Sequence, residues 1–556
     1  MGVLIAWCAL DAHWWSAAWT ALPLATFATL VIVHDHVIRN RRRFDRAVAF
    51  YERGLARLED RWMDSPDDGA RFDERTHAYA PDLDLFGRGS LFQLLCTART
   101  RMGEDTLAAW LCAPATREEI NARQAAIREL RPELDLREAL ALTGDDVRDG
   151  FDPDALATWA AAPPLLVSPV ARVTAAVLAT VAVATAIAWA AGMVPAQAFI
   201  VVYGLEGAFA AALRPRVVRV IRGVQRPSRD LTLVAQLLAT VESSRFESQR
   251  LVAMQKALQI AGAPASRRIA HLHRLMHLLD ARKNQLFGPI SSVLLWATQL
   301  ALALEVWRAA SGDAVRRWLS TIGEYEALCA LASYAYEHPD DPFAEIVDAG
   351  PCFDGEGLGH PLIVRQRCVP NDIRLGDALR LLVVSGSNMS GKSTLLRTVG
   401  INTVMALAGA PVRARSLRVS RLAVGASIRI QDSLQDGTSH FYAEITRLRQ
   451  LLDVALQPLP LLFLLDEILS GTNSHDRGIG AAAVVREFLA RGAIGLITTH
   501  DLALTRLVDG LEGVAANVHF ADSLENGTMH FDYRMQPGVV QKSNAVALMR
   551  AVGLDV

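Results

Sequence analysis

Apolar positions are unevenly spread along this chain. Trp14–Val33 is a run of twenty residues without a charge, followed at once by Arg39, Arg41, Arg42, Arg43 and Arg46. A helix of about twenty apolar residues matches a hydrocarbon layer about 30 Å thick, and arginines gather on the cytoplasmic side of such a span. The run predicts a membrane anchor with its N-terminus outside. A cleaved signal peptide carries its charges before the apolar stretch, the reverse of the order here. A second concentration, Val173–Leu213, is interrupted by Gly192 and Pro195 into two halves of span length, Val173–Ala191 and Val194–Leu213. Arg172 precedes them, and Arg214, Arg216, Arg219, Arg222, Arg226 and Arg229 follow. The pattern predicts a tight transmembrane hairpin with both ends in the cytoplasm. The competing reading is a buried helical hairpin, because the first half is rich in Ala and Thr and Glu206 sits in the second. Val293–Trp307 carries Gln299 and Glu305 and is only about fifteen residues long, which predicts a core helix instead of a span.

Elsewhere the periodicity is that of helices packed on a core. Ser90–Leu111 has helical apolar spacing, Pro114 follows, and a second helix is expected from about Arg117 to Leu130. Pro163-Pro164 mark a linker before the hairpin. In 230–340, Leu231, Val234, Leu237, Leu238 and Val241 recur at three and four, the stripe of a core-facing helix. After Pro342 short apolar runs alternate with helical stretches and glycine turns, the mark of an α/β region with a largely parallel sheet. The expected organisation is an anchor in 1–46, a cytoplasmic helical region in 47–165, the hairpin in 173–213, a second helical region in 214–344, and the α/β region in 345–556.

Composition sharpens this picture. The 57 Lys+Arg and 59 Asp+Glu give a net charge of −2, so bulk positive charge cannot bring the chain to nucleic acid. A mean hydropathy of +0.20 with 51% hydrophobic residues excludes a disordered chain. The six cysteines are scattered, with neither a CxxC pair nor histidines at zinc-ligand spacing, which argues against a disulfide framework or a structural zinc. Only four basic residues are lysine: Lys256, Lys283, Lys392 and Lys542.

One of the four falls where chemistry asks for lysine. Leu381–Val384 reads as a buried strand, Leu395–Ala408 as a helix, and between them lie Gly386, Ser387, Asn388, Met389, Ser390, Gly391, Lys392, Ser393 and Thr394. Strand, GxxxxGKS/T and helix together form a phosphate-binding P-loop, whose backbone N–H groups close around the phosphates of ATP. Lys392 would place a compact charge on those phosphates, and Ser393 its hydroxyl on Mg²⁺. Leu461–Leu465 is a second buried strand ending in Asp466-Glu467: Asp466 would hold Mg²⁺ and Glu467 activate water. Ile494–Ile497 is a third, ending in Thr498-Thr499-His500-Asp501, where His500 would sense the γ-phosphate or position the water.

These residues resemble the ATPase domain of MutS, the mismatch-repair family. The resemblance lies in GSNMSGKST at 386–394, LLDEILSGTNSHD at 464–476, TTHD at 498–501 and DGTSHFYAE at 436–444. It extends to His360-Pro361, VPNDI at 369–373 and the tail 537–554, and more weakly to the helical stretches, with 84–130 similar to the start of the MutS core and lever. The fold it implies is multidomain: an α-helical MutS-type core and lever region with transmembrane helices, followed by an α/β P-loop (ABC-like) ATPase domain. The hairpin would lie between the two halves of the core, as in a membrane-associated branch of MutS-related proteins. The resemblance also implies a composite site in a homodimer, with Gly437 and Ser439 completing the nucleotide site of the opposite subunit, near Asn473–Asp476. Some residues depart from the family. Leu469 and Ser470 stand where glycine and arginine are usual, Ser387 replaces a proline, and Phe72-Asp73-Glu74 lies after a span with too little chain for a mismatch-reading domain.

The implied function is an ATPase at the inner membrane, its ATPase domain cytoplasmic, acting on duplex, branched or mismatched DNA. An ATP-driven switch acting on protein or lipid is the alternative. A transport ATPase is disfavoured, because its LSGGQ signature should precede the second carboxylate motif, whereas Leu469-Ser470-Gly471 follows Asp466.

Overall fold

The computed structural model describes residues 14–65, 67–147, 152–166, 168–225, 231–260, 262–281, 287–348, 350–429, 440–525 and 528–540. Two compact units are present, Met1–Glu59 and Asp60–Val556. Among its described residues the first holds one helix, Trp14–Leu58, with Pro23 inside it. The helix continues well past the apolar run, through the arginines.

The second unit is built on a 42-residue helix, Trp296–Glu337. Trp318, Ile322, Tyr325, Leu328 and Leu331 along it are all buried. Helices Arg101–Cys112, Arg117–Leu130, Pro153–Ala161 and Ala265–Ala281 pack against it. Close approach is needed on this axis: a Cβ on Gly323 would lie 2.6 Å from the carbonyl oxygen of Met102. The stripe expected in 230–340 is present, since helix Leu231–Ser243 buries Leu231, Val234, Leu237, Leu238 and Val241. The core helix expected at 293–307 begins at Trp296, after Leu295 breaks the run in a left-handed conformation (φ +46°).

One helix expected from periodicity is two. Ser90–Leu111 breaks into Leu91–Leu95 and Arg101–Cys112, each with its own N-cap: Ser90 accepts from the Gln93 N–H and Thr100 from the Gly103 N–H. The break is fixed by Glu326, whose buried carboxylate accepts the N–H groups of Arg99 (3.1 Å) and Thr100 (3.2 Å) and the Thr100 hydroxyl. Desolvation raises the Glu326 pKa to about 7.

Pro169–Ala190 and Ala196–Gln225 form an antiparallel pair joined through Gly192 (φ +72°). Its outward side chains are apolar: Val173 is 63% exposed and Ile200 64%. The stretch before the pair is docked, with Leu165 N–H donating to Glu305 (2.7 Å) and Arg308 donating to the Pro163 carbonyl (2.9 Å). By length and composition three described helices could cross a membrane, within Leu22–Leu58, Pro169–Ala190 and Ala196–Val224.

The α/β region carries strands β1 (Glu345–Val347), β2 (Phe353–Leu358), β3 (Asn371–Leu375), β4 (Leu381–Ser385), β5 (Ser416–Ser420), β6 (Ala423–Ser427), β7 (Leu461–Leu465), β8 (Ile494–Thr499), β9 (Ala515–Glu525) and β10 (Thr528–Pro537). Six form one sheet in the order β10-β9-β4-β8-β7-β6. All neighbours are parallel except β9 and β10. β4, β7 and β8 are buried throughout, which is why they read as unbroken apolar runs. A smaller sheet, β1-β5-β2-β3, lies beside it.

Residues 77–86 fasten the helical body to this region. The buried Asp82 accepts the N–H groups of Ile428 and Arg429 on one carboxylate oxygen, both at 2.7 Å, and Arg447 on the other at 2.6 Å. Its carbonyl accepts Arg397 at 3.0 Å, and Asp84 pairs with Arg429 and with Arg397. Leu83 fills the space over Gly400, where a Cβ would come within 2.6 Å of its methyl.

Candidate functional site

Three adjacent parallel strands, β4, β8 and β7, end at one edge of the sheet, and their loops bring the candidate residues together. Beyond β4 the chain crosses Gly386–Ser390 and enters helix Lys392–Ala408, whose N-cap, Gly391, has φ +102°. A side chain there would strain the backbone and approach the Tyr533 ring at 3.1 Å. The helix starts three residues earlier than its apolar pattern suggests, because the glycine turn leads straight into it. Its first N–H groups and dipole face the loop, the arrangement that favours an anion.

Lys392 is buried and folds back on the loop, donating to the carbonyls of Gly386 (2.9 Å) and Ser387 (2.8 Å). Desolvation lowers its pKa, and the nearby carboxylates of Glu467 and Asp466 oppose that. Among the described residues the hydroxyl oxygens of Ser387 and Ser390 are buried without a hydrogen-bond partner. Buried hydroxyls of that kind cost free energy unless a ligand satisfies them. Met389 is exposed and also sits at positive φ (+70°).

Asp466 leaves the end of β7 with its N–H on the Ser427 carbonyl (2.9 Å), and the Thr498 hydroxyl donates to its carboxylate. Glu467 has φ +49°, a left-handed conformation, held by its N–H to the Thr498 carbonyl at 3.2 Å. Its carboxylate lies 3.0 Å from His500 Nδ1, so acid and histidine meet at the mouth of the site. After the Asp-Glu pair the loop is tied from outside. Leu469 N–H donates to the buried Glu444, and Arg477 donates to the carbonyls of Leu469, Ser470 and Thr472.

A cavity of about 840 Å³ joins these parts, lined by Asn388, Gly391, Lys392, Ser393, Thr394, Asp466 and Glu467 together with residues to which sequence reasoning gave no role. His360 is one: its Nδ1 accepts the Leu362 N–H, and burial, helped by Arg397 and Arg413, lowers its pKa to about 4, leaving it neutral. Asn371 and Tyr533 are others, and Asn371 clamps β10 by accepting the Met535 N–H (2.7 Å) and donating to the Tyr533 carbonyl (3.0 Å). Thr498 carried a signal, a polar residue at the end of an apolar strand; Asn371 carried one only as part of the family-like VPNDI at 369–373, and Tyr533 carried none. The structure therefore brings Gly386–Thr394, Asp466, Glu467 and His500 to one place. Gly437 and Ser439, proposed to act on the opposite subunit, lie outside the described residues. Groups of three or more metal-ligating side chains are absent among the described residues. An Asp466–Ser393 pair completed by phosphate oxygens and water needs none.

Comparison with known proteins agrees in both parts of the molecule. Residues 382–555 match the family model for MutS domain V, and residues 77–158 that for MutS domain III. The chain is 35% identical over 251 residues to "DNA mismatch repair protein MutS 2" of Halobacterium salinarum, covering 44% of this chain and 28% of the relative. It is 32% identical over 251 residues to "DNA mismatch repair protein MutS" of Natronomonas pharaonis, with the same two shares. It is 34% identical over 203 residues, 35% of this chain and 25% of the relative, to "Endonuclease MutS2" of Thermus thermophilus. The chain thus spans between about a quarter and a third of the length of these relatives. On these matches, the chain is similar to the MutS family over two segments, domain III at 77–158 and domain V at 382–555.

Proposed function

We propose that the chain is a membrane-tethered, Mg²⁺-dependent ATPase of MutS type, working as a dimer and coupled to DNA of duplex, branched or mismatched structure. The observation that carries it is the single cavity joining Lys392, Ser393, Asp466 and Glu467, with two unsatisfied serine hydroxyls in the loop beside it. Its volume lies within the few hundred to about 1,000 Å³ of small-molecule sites. Lys392 would exchange its two loop carbonyls for phosphate oxygens, and the Ser387 and Ser390 hydroxyls would gain acceptors. Ser393 and Asp466 would hold Mg²⁺, with Thr498 orienting the Asp466 carboxylate. The ion would supply charge neutralisation as the terminal phosphate leaves. Glu467, steadied by His500, would take the proton of the attacking water.

The exposed apolar faces of Pro169–Ala190 and Ala196–Gln225 and the arginines at their base support an inner-membrane location with the α/β region cytoplasmic. The dimer, with Gly437 and Ser439 acting across it, rests on family likeness. One observation favours a second reading, an ATP-driven switch on a protein or lipid without DNA: the net charge is −2, and the densest arginine runs border the apolar helices.

Nucleotide binding and turnover by purified protein test the proposal. Lys392→Ala should abolish ATP binding, and Glu467→Gln should bind ATP but release no phosphate; unchanged hydrolysis in either would refute the site. Absence of affinity for duplex, mismatched and branched DNA at low salt with ATP would leave the switch. Phosphatase activity of a reporter fused at Val556 would overturn the topology.

A further inference from the structure

Beyond its apolar run, helix Trp14–Leu58 carries a second pattern that neither the anchor nor the ATPase explains. Between His34 and Leu58 the exposed large apolar side chains are Val37, Phe44, Val48, Tyr51, Leu55 and Leu58, from 41% exposed at Tyr51 to 69% at Phe44. Their spacing is seven, four, three, four and three. With Val48 and Leu55 as a positions, Val37, Phe44, Tyr51 and Leu58 are all d positions of one heptad frame. The other two large aliphatic or aromatic residues of this stretch, Ile38 and Phe50, are half-buried, on other faces of the helix. From Phe44 onward the alternation of four and three is unbroken, the seam of a left-handed coiled coil, and six exposed apolar residues on one line are costly in water.

The charges in the same frame indicate what covers the seam. The acids of the helix after Arg41, Asp45 and Glu52, both fall at e, whereas the g positions are Asn40, Ala47 and Gly54. In a parallel pair, e faces g of the partner helix, so each acid meets an uncharged residue; in an antiparallel pair, e faces e and the acids oppose one another. Arg41, at a, would meet its own copy, and Asp45 at 3.8 Å on the same helix offsets that charge. We propose that the seam from Val37 to Leu58 is covered by the same seam of a second copy of this chain, in a short parallel two-stranded coiled coil. Little more than three heptads, one a position of which is Arg41, cannot hold two free helices together. The seam joins chains already confined, and here the argument rests on the anchor reading, which sets two copies in one membrane in the same direction and at high effective concentration.

The test is site-directed disulfide formation in native membrane vesicles with the full chain carrying Cys8→Ser. Phe44→Cys and Leu55→Cys, at exposed seam positions, should each give an oxidised dimer on non-reducing gels, while Arg42→Cys, at b, stays at the level of the Cys8→Ser parent. Only parallel packing in register gives both seam products. The proposal is overturned if neither seam thiol cross-links above the parent, including the case in which lipid shields both from a water-soluble maleimide, or if all three cross-link equally. Failure of the anchor is read separately, as release of the chain from vesicles by alkaline carbonate.

Discussion

Replacing Asp82 by Asn tests how the helical body is fastened to the α/β region. The side chain is buried, and both of its oxygens are occupied, one by the Ile428 and Arg429 N–H groups and the other by Arg447. Asparagine keeps the shape. Its carbonyl can still accept the two N–H groups, but its NH₂ then faces the Arg447 guanidinium, donor against donor. Arg447 keeps its bonds to the carbonyls of Ala426 (2.9 Å) and His77 (2.8 Å) yet loses its counter-charge in a buried setting. Removing one partner of such a pair costs about 3–5 kcal/mol, and the retained hydrogen bonds place this case near about 3. If the loss is local, the Ile428 and Arg429 amides should exchange hydrogen with solvent roughly a hundredfold faster, at about 1.4 kcal/mol per factor of ten. Hydrogen-exchange mass spectrometry on peptides ending at Arg429 reads this directly. A second measurement isolates the pair: Arg447→Met should cost at least about 1.5 kcal/mol less in the Asp82→Asn background than in the parent. Unchanged protection at 428–429, or strict additivity of the two substitutions, would refute the reasoning.

The remaining predictions concern pH, packing and a buried pair. His360 is neutral when folded, its pKa lowered from 6.5 to about 4, so below pH 6.5 the unfolded chain takes up a proton that the folded chain refuses. Its contribution, about 3 kcal/mol, is therefore complete above pH about 6.5 and is lost as pH falls toward 4; His360→Gln should flatten that part of the denaturation midpoint against pH. Gly400→Ala drives a methyl to within 2.6 Å of Leu83 and 2.8 Å of Leu464, and should lower stability by about 1–3 kcal/mol, read as a drop in the thermal midpoint. Glu305→Ala should cost about 3–5 kcal/mol, because it strips the buried Arg308 of its carboxylate (2.8 Å) and frees the Leu165 N–H; calorimetry checks it.

What the sequence revealed depended on where each element is buried. β4, β7 and β8 are covered on both faces, so their residues form unbroken apolar runs, and the site motifs sit at their carboxyl ends. The smaller sheet was hidden, since β3 reads Asn-Asp-Ile-Arg-Leu with alternate residues exposed and β2 contains two glycines and two acids. The break between Leu95 and Arg101 was hidden for another reason. Its apolar spacing runs through the gap, and the group that breaks the helix, Glu326, lies more than two hundred residues away in sequence. Within the site, the loop and the three strand-end residues were legible as a spacing. Asn371 was visible only as part of VPNDI at 369–373, and Tyr533 was not visible at all, because nothing local marks a strand that folds back over a loop formed some 140 residues earlier.

The order in which the body is made follows from the way its halves interlock. The helices Arg101–Cys112, Arg117–Leu130 and Pro153–Ala161 find their common packing partner only in Trp296–Glu337, and the exposed pair Pro169–Ala190 and Ala196–Gln225 is synthesised in between. At about 5–20 residues per second, the first half waits roughly ten to forty seconds for its core. During that interval the surfaces around Leu107, Leu111 and Ile127 have nothing to bury against, while the apolar pair has already left the ribosome. Assembly of the body is therefore a late event in synthesis, set by the arrival of Trp296–Glu337.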